Sequence, residues 1–337
     1  MKLEDIARKA GVSRATVSRV INNERYVSEQ TRDRVMTVIR EEHFEPNPAA
    51  RALVRQRSEI IGVVIPDNFK VFFTDNSYFP MLLQGIGEAI HQREYAMLLW
   101  LGQPEVDREI FVRRILSNRQ ADGLVIASLS VEHPLFAQLN NLRIPFVLID
   151  RPLRFEDRVS YVTIDNVRAA EVAVLHLASV GRKRIAHITG HLTISDGQDR
   201  LQGYKSGLKK AGLQIDNDLI VEGQFHTEHG YAGMKKLLPF KPDAVFAAGD
   251  TSAIGAMQAI REAGLRIPED IAVMGVDDID VAERADPPLT TIRQPVEQKG
   301  AYAARLLMDI IDGRLEGPQH VLLPTQLVIR QSCGANL

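Results

Sequence analysis

From its third residue the chain repeats apolar positions at helical spacing: Leu3, Ile6, Ala7 and Ala10 share one face, and the pattern stops at Gly11, a residue suited to a tight turn. Ser13 then stands where a helix cap belongs. Winding the next segment at about 100° per residue sets Arg14, Ala15, Ser18, Arg19 and Asn22 on one arc and Val17, Val20 and Ile21 on the opposite one. A third helix, capped by Ser28, is predicted from about 29 to 42 with Val35, Val38 and Ile39 inward. Two short helices joined through glycine and closed by a third form a helix-turn-helix, whose second helix can enter a DNA major groove. The same pattern also suits a small structural bundle with a solvated polar face.

Phe44-Glu45-Pro46-Asn47-Pro48 breaks the third helix, and Asn47 before Pro48 signals another short helix to about residue 55. Arg51, Arg55 and Arg57 flank its apolar Ala49, Ala50, Leu53 and Val54. One or two turns do not persist alone in water. A basic, marginal helix between two domains is suited to folding on contact with DNA.

Beyond residue 60 the period changes. Val- and Ile-rich runs at 60–65, 96–101, 123–127, 146–149, 161–164, 184–189, 219–222, 244–248 and 271–276 alternate with helical stretches such as 81–93, 167–180, 200–211 and 252–263. That alternation predicts parallel sheets covered on both faces. The strands are too many for one small sheet, and the break near 150–160 predicts two lobes.

A chain of 337 residues exceeds the usual size of a single core, and 45% hydrophobic with 25% charged residues is an ordinary globular composition. No apolar run reaches the roughly 18 residues of a membrane span, and the N-terminus lacks a secretion signal, so a cytoplasmic protein without membrane contact is expected. Cys333 is the single cysteine, which excludes an intrachain disulfide and a multi-cysteine metal site and reads as structural. The first 58 residues hold 12 Lys+Arg against 8 Asp+Glu, net +4, and the rest hold 29 against 35, net −6. A basic head on an acidic body suits one polyanion-binding end.

Enzyme signatures are missing. Gly85-Ile86-Gly87 lacks the third glycine of a dinucleotide loop and falls inside a predicted helix, and there is no phosphate-binding lysine loop or G-x-S-x-G. The nine histidines show no metal spacing; His187, His191 and His226 are expected near the cleft side. No cofactor, metal or catalytic group is therefore expected.

In open parallel sheets ligands bind beyond the carboxyl ends of the strands. Asp150-Arg151, Phe225, Gly249-Asp250 and Asp277-Asp278 stand at such ends, and Arg200 is placed at the opening of the helix after 184–190. Carboxylates accept from vicinal hydroxyls, arginine donates, and a ring covers an apolar sugar face, so a polyhydroxylated ligand fits. Asp250 equally suits a helix cap, Asp278 a cap or lobe contact, and Phe225 the core.

The string Leu3-Glu4-Asp5-Ile6-Ala7, then 10–22, then Val27-Ser28-Glu29-Gln30-Thr31-Arg32, then Pro46-Asn47-Pro48-Ala49-Ala50-Arg51-Ala52-Leu53 resembles the lactose-repressor/galactose-repressor family. The resemblance implies a helix-turn-helix DNA-binding domain at 1–46, a hinge helix and linker at 47–58, and a two-lobed periplasmic-binding-protein-like sensor at 59–337. Its first lobe would comprise about 59–160 plus 292–323 and its second about 161–291 plus 324–337, with late strands at 290–293 and 321–329 returning to the first lobe and crossing back. It implies that Arg14, Ala15 and Arg19 face base edges, that Ser13, Thr16 and Asn22 serve mostly phosphates or helix packing, and that Leu53, paired with its dimer mate, wedges into the minor groove; Ser18, Asn47 and Arg51 are also expected at the DNA. It implies an effector site at Arg200, Phe225 and Asp277. The strand-end residues Asp150, Arg151 and Asp250 are expected to join them, and Tyr78 and Asp75 to reach the ligand from a segment at 66–79 that departs from the family by being longer than in many relatives. The protein expected is a homodimeric repressor of carbohydrate-utilisation genes on a pseudo-palindromic operator with a central C-G step, and its effector is a sugar. A purine or nucleoside effector is the alternative. A pure solute receptor of the periplasmic kind would share the body but carry a leader and no such head. With eight residues after Ile329, a tetramer held by an appended tail is not expected.

Overall fold

Three helices, α1 (Leu3–Ala10), α2 (Arg14–Ile21) and α3 (Glu29–Glu41), close on one apolar cluster at the head of the chain. The computed structural model describes residues 2–21, 26–44, 57–65, 77–101, 120–127, 139 and 143–335. Met1–Glu59 and Ile60–Leu337 form separate units. In the first, Ile6, Val17 and Val35 are fully buried, as the helical wheel requires. Gly11 turns the chain at φ 61°, a left-handed conformation that costs glycine nothing. Ser13 accepts from the Thr16 N–H at 3.1 Å, and Ser28 from that of Thr31 at 3.4 Å, so both predicted caps form. The short helix expected at 48–55 lies outside the described residues.

The second unit is built on two six-stranded sheets. The first contains β1 (Ile60–Ile65), β2 (Ala96–Leu101), β3 (Gly123–Ala127), β4 (Phe146–Ile149), β5 (Ser160–Ile164) and β11 (His320–Leu323), in the order β11-β5-β4-β3-β1-β2, all parallel. The second contains β6 (Ile185–Ile188), β7 (Ile220–Val221), β8 (Ala244–Ala247), β9 (Ala272–Asp277), β10 (Thr290–Arg293) and β12 (Gln326–Val328), in the order β12-β10-β9-β8-β6-β7. Only the β10–β12 pair is antiparallel.

Strand residues alternate between two cores. Val245 and Ala247 join one cluster of the second sheet with α7 (Thr227–Leu237) and α8 (Asp250–Glu262), while Ala244 and Phe246 join the other with α5 (Asn166–Ser179) and α6 (Ser195–Lys210). Both faces being dry explains why these strands read as unbroken apolar runs rather than alternating ones.

The first sheet is covered on one face by α4 (Tyr78–His91) and α10 (Val296–Ile311), the short α9 (Asp280–Arg284) lying between β9 and β10 in the chain. These two helices touch backbone to backbone: a Cβ on Gly85 would stand 1.8 Å from the Glu297 carbonyl oxygen, and one on Gly300 would stand 2.3 Å from that of Leu82. Gly85 thus serves helix packing, not a nucleotide.

Several boundaries differ from the sequence reading. The second lobe was expected to open at about 161, but β5 pairs with β4 and β11, so the chain leaves the first sheet only after Ile164. Thr290–Arg293 stays in the second sheet beside β9, instead of returning to the first. The run 321–329 divides into β11 and β12 on different sheets, broken at Pro324, which has no N–H for a ladder. Helix α4 starts at Tyr78 rather than 81, with Pro80 in its first turn, where its missing N–H costs nothing. Helix α6 starts at Ser195, so Arg200 lies in its second turn rather than opening it.

Gly85→Ala is therefore expected to destabilise the protein by about 1–3 kcal/mol through overpacking. Gly87→Ala, whose new Cβ meets only Met97 Cε at 3.5 Å, is expected to gain up to about 1 kcal/mol of helix propensity. Urea unfolding of both variants checks this, and equal effects would disprove the close helix crossing.

Candidate DNA-binding face and ligand cleft

On α2 the two sides separate as the wheel predicts: Val17 and Val20 are buried, Arg14, Ala15 and Arg19 are exposed, and Thr16 and Ser18 are half-buried. Ser13, exposed before the helix, also hydrogen-bonds the Thr16 hydroxyl at 2.9 Å. Arg14 rests 3.2 Å from Glu4 in an exposed pair, a contact weak enough to yield to a phosphate or base edge. Asn22, Asn47, Arg51 and Leu53 lie outside the described residues, as does Asp75.

In the second unit the strand ends of the two sheets meet in a polar cleft. Arg200 is 2% exposed. Its Nε donates to Asn166 Oδ1 at 2.8 Å, Nη1 donates to the Ala248 carbonyl, and the guanidinium pairs with Asp196 at 3.7 Å and Asp277 at 3.8 Å. The guanidinium carbon stands 5.6 Å from the centre of the Phe225 ring. Gly190 and Gly249 make room for that ring: a Cβ on Gly190 would lie 2.2 Å from Phe225 Cζ. Asp277 accepts from Gln294 Nε2 at 2.5 Å, and the Gln294 Oε1 is buried with no hydrogen-bond partner among the described residues.

The facing lobe contributes Tyr78, Asp150 and Lys299. Lys299 has no exposure; it donates to Asp150 at 2.7 Å and to the Tyr78 hydroxyl at 3.3 Å. Asp150 and Asp277 hold φ at 72° and 120°, left-handed values that a non-glycine residue adopts only where its surroundings insist.

Burial, and then Asp150, push the Asp196 carboxyl up to about 7 against the pull of Arg200 and Lys299. Burial also raises Asp277, opposed by Arg200 and Gln294. Burial works against the Lys299 ammonium, but Asp150, Tyr78 and Asp196 outweigh it and hold it above the ordinary lysine range.

Of the residues expected at the ligand site, Tyr78, Asp150, Arg200, Phe225 and Asp277 converge. Two do not. Arg151 turns to the flank, gripping Asp199 of α6 at 2.7 and 2.9 Å while its carbonyl accepts from Ser195 Oγ at 2.5 Å, so it ties the lobes together. A cavity of about 490 Å³ opens beside that pair, bordered by Glu156, Tyr161, Asn166 and His320. Asp250 is wholly buried, accepting from Thr291 Oγ1 at 2.5 Å and the Ile279 N–H at 3.0 Å, which makes it an anchor for β10 and the chain after β9. Asp278 anchors Arg293 and Arg330 at 2.5 and 2.7 Å, both beside its own sheet, so it braces the second lobe from within.

The histidines are also placed differently. His187 is fully buried, stacked between Tyr204 and Phe246 at 4.8 and 5.0 Å, and burial pushes it down to about 4, so it is core rather than cleft. His191 is exposed against Thr193, and His226 precedes α7. Among the described residues no His, Cys, Asp or Glu cluster could hold a metal, and no helix is long and apolar enough to cross a membrane.

Asn166, Asp196, Gln294 and Lys299 escaped the sequence reading. Asn166 obeys the strand-end rule and follows β5 by two residues. Lys299 left a clear trace: it falls on the helical stripe of Val296, Gly300, Ala303 and Leu307, where a charge is out of place. Asp196 and Gln294 gave no such signal.

A model of the lacI family of bacterial regulatory proteins matches residues 2–47, and one of a periplasmic binding protein-like domain matches 174–333. The HTH-type transcriptional regulator CelR of Thermobifida fusca is 40% identical over 98% of this chain and 97% of its own. The HTH-type transcriptional repressor PurR of Escherichia coli O139:H28 is 32% identical over 98% and 96%. Among solved structures, a transcriptional regulator CelR–cellobiose complex superposes with TM-score 0.79 at 37% identity, covering 98% of this chain and 99% of that one. The Lac repressor dimer bound to operator and the anti-inducer ONPF gives 0.83 at 27%, covering 99% of each. A helix-turn-helix head and a two-lobed α/β body define a transcriptional regulator. The chain belongs to the lacI family.

The raised Asp196 carboxyl gives a stability test. Its folded value near 7 lies above the unfolded 3.8, so the folded state holds the proton more tightly; the stability this gives is full below about 4 and is lost as pH rises through 7. Asp196→Asn is expected to flatten that decline, read from denaturant midpoints at stepped pH. An unchanged slope would place the proton elsewhere.

Proposed function

We propose that this protein is a homodimeric repressor of carbohydrate-utilisation genes whose hold on a pseudo-palindromic operator is set by an uncharged sugar in the cleft. The observation that carries the reading is Arg200 over the Phe225 ring, flanked by Asp196 and Asp277 and facing Asp150 across the cleft. A ring to cover an apolar sugar face, carboxylates to accept from hydroxyls and a guanidinium to donate are the groups a pyranose needs. The likeness to a CelR–cellobiose complex supports the same chemistry. A purine or nucleoside is the alternative occupant of the ring.

At the head, Arg14, Ala15 and Arg19 are proposed to read base edges, with Ser13, Thr16, Ser18 and Asn22 at phosphates or in packing. Asn47 and Arg51 seat Leu53 at a central C-G step, where unstacking costs a few kcal/mol that contacts to the bent DNA offset. The ligand acts by altering the spacing of the two hinge segments, and the coupling is reciprocal: operator changes ligand affinity by the same factor. The reading places the protein in the cytoplasm with its DNA.

The test uses an operator selected from random DNA by the protein itself, titrated with and without cellobiose or adenosine at one salt concentration. Cellobiose is expected to change operator affinity, and Arg19→Ala to lower discrimination by about 1–3 kcal/mol at one base pair per half-site. Leu53→Ala should weaken operator binding strongly and scrambled DNA little. A response to adenosine alone would replace the sugar by a nucleoside, and loss of neither affinity in the two variants would end the proposed DNA contacts.

A further inference from the structure

Lys299 sits on the buried stripe of α10, where every other buried residue is apolar or glycine, and its side chain is wholly excluded from solvent. A lysine survives in such a place only when opposite charge compensates it. Here the compensation comes from three directions. Asp150, at the end of β4, accepts at 2.7 Å; the Tyr78 hydroxyl, from the start of α4, lies at 3.3 Å; and Asp196 of α6 faces the ammonium from the other lobe. Asp277, at the end of β9, feels the same ammonium. Thr163 of β5 approaches Asp150 at 3.4 Å, and Gln294 holds Asp277.

The charge balance follows. The cleft gathers three carboxylates, Asp150, Asp196 and Asp277, and two cations, Arg200 and Lys299. Arg200 serves the two carboxylates of the second lobe, and Lys299 serves the one of the first. Without Lys299, three carboxylates would share one guanidinium.

We infer that Lys299 is the positioning and selectivity residue of the cleft: by fixing Asp150 and Tyr78 it sets the first-lobe acceptors for an uncharged, hydroxyl-rich ligand. Its own charge is consumed by Asp150 and that of Arg200 by Asp196 and Asp277, so neither cation is left to receive an anionic sugar. This rests on the reading of the cleft as a sugar site. The ammonium stays charged across the whole working range, because its neighbours hold it above the ordinary lysine value. The group that titrates near neutrality is instead Asp196, from the other lobe.

Two measurements test this. The first needs no sugar: melting temperature from pH 5 to 9 for the wild type, Lys299→Met, Lys299→Arg and the double variant Lys299→Met/Asp150→Asn. Lys299→Met is expected to lose stability increasingly as pH rises, because the carboxylates ionise with no ammonium opposite. Asp150→Asn in the same chain should restore most of the loss, and Lys299→Arg should keep the wild-type profile. A Lys299→Met profile parallel to the wild type at every pH, with no restoration by Asp150→Asn, would overturn the positioning role. The second is calorimetry with cellobiose and with its C1 carboxylate, cellobionate. The wild type is expected to bind cellobiose at least tenfold more tightly, and Lys299→Met to bind cellobiose more weakly at pH 8 than at pH 6. Equal affinity for the two sugars would overturn the selectivity. Binding of neither sugar would retire both the sugar reading and the selectivity, while the pH profiles still decide the positioning role.

Discussion

Two ions, one guanidinium and one ammonium, lie almost without exposure where the two sheets meet, and the second unit is arranged around keeping them there. Arg200 is 2% exposed and Lys299 0%. An isolated ion in such surroundings carries a desolvation penalty of several kcal/mol, which only well-placed partners offset. Those partners come from far apart in the chain: Asp150 after β4, Asn166 and Asp196 at helix starts, Ala248 after β8, Asp277 at the end of β9. The parallel architecture makes this possible, since it delivers the carboxyl ends of all the parallel strands in a sheet to one edge. The Gly85–Glu297 and Gly300–Leu82 approaches then bring α4 and α10 close enough for Tyr78 to reach Lys299. Close helix packing and buried charge are one design.

Backbone geometry at the strand ends belongs to the same account. Asp150, Asp277 and Asp278 all hold positive φ, at 72°, 120° and 60°. Each such residue costs of the order of 1–3 kcal/mol unless its surroundings repay it. Asp150 and Asp277 point into the cleft cluster, whereas Asp278 binds Arg293 and Arg330 behind it. Adjacent aspartates thus face opposite duties, and the twist between them separates ligand chemistry from lobe construction.

Strands and helices were legible because dry faces and helical stripes leave periodic traces: the limits of β1 to β4 and β10 coincide with their apolar runs. Sheet membership was less so. Nothing local distinguishes β5 from β6, and which sheet each joins depends on the length and packing of the connection after Ile164. The strand-end rule found Asp150, Arg200, Phe225 and Asp277, but it could not tell a carboxylate facing the cleft from one facing inward. Asp250 stands at a strand end as Asp277 does, yet its carboxylate is taken by Thr291 and Ile279. Arg151 was lost to Asp199, a partner 48 positions away. Lys299 leaves its trace as a charge on an apolar helical stripe, away from any strand end.

The chain passes between the sheets after β5, after β10 and again between β11 and β12. Neither lobe is therefore a contiguous stretch of gene. As the polypeptide leaves the ribosome, the first sheet waits for its edge strand β11 until the whole second-lobe core has been made, and the second waits for β12 a few residues later. Truncation just before residue 320 would strip an edge strand from both lobes at once, and exchange of a lobe between relatives by a single crossover would leave each half with a foreign edge. The same interleaving that brings charged residues together from distant parts of the chain makes the sensor heritable only as a whole.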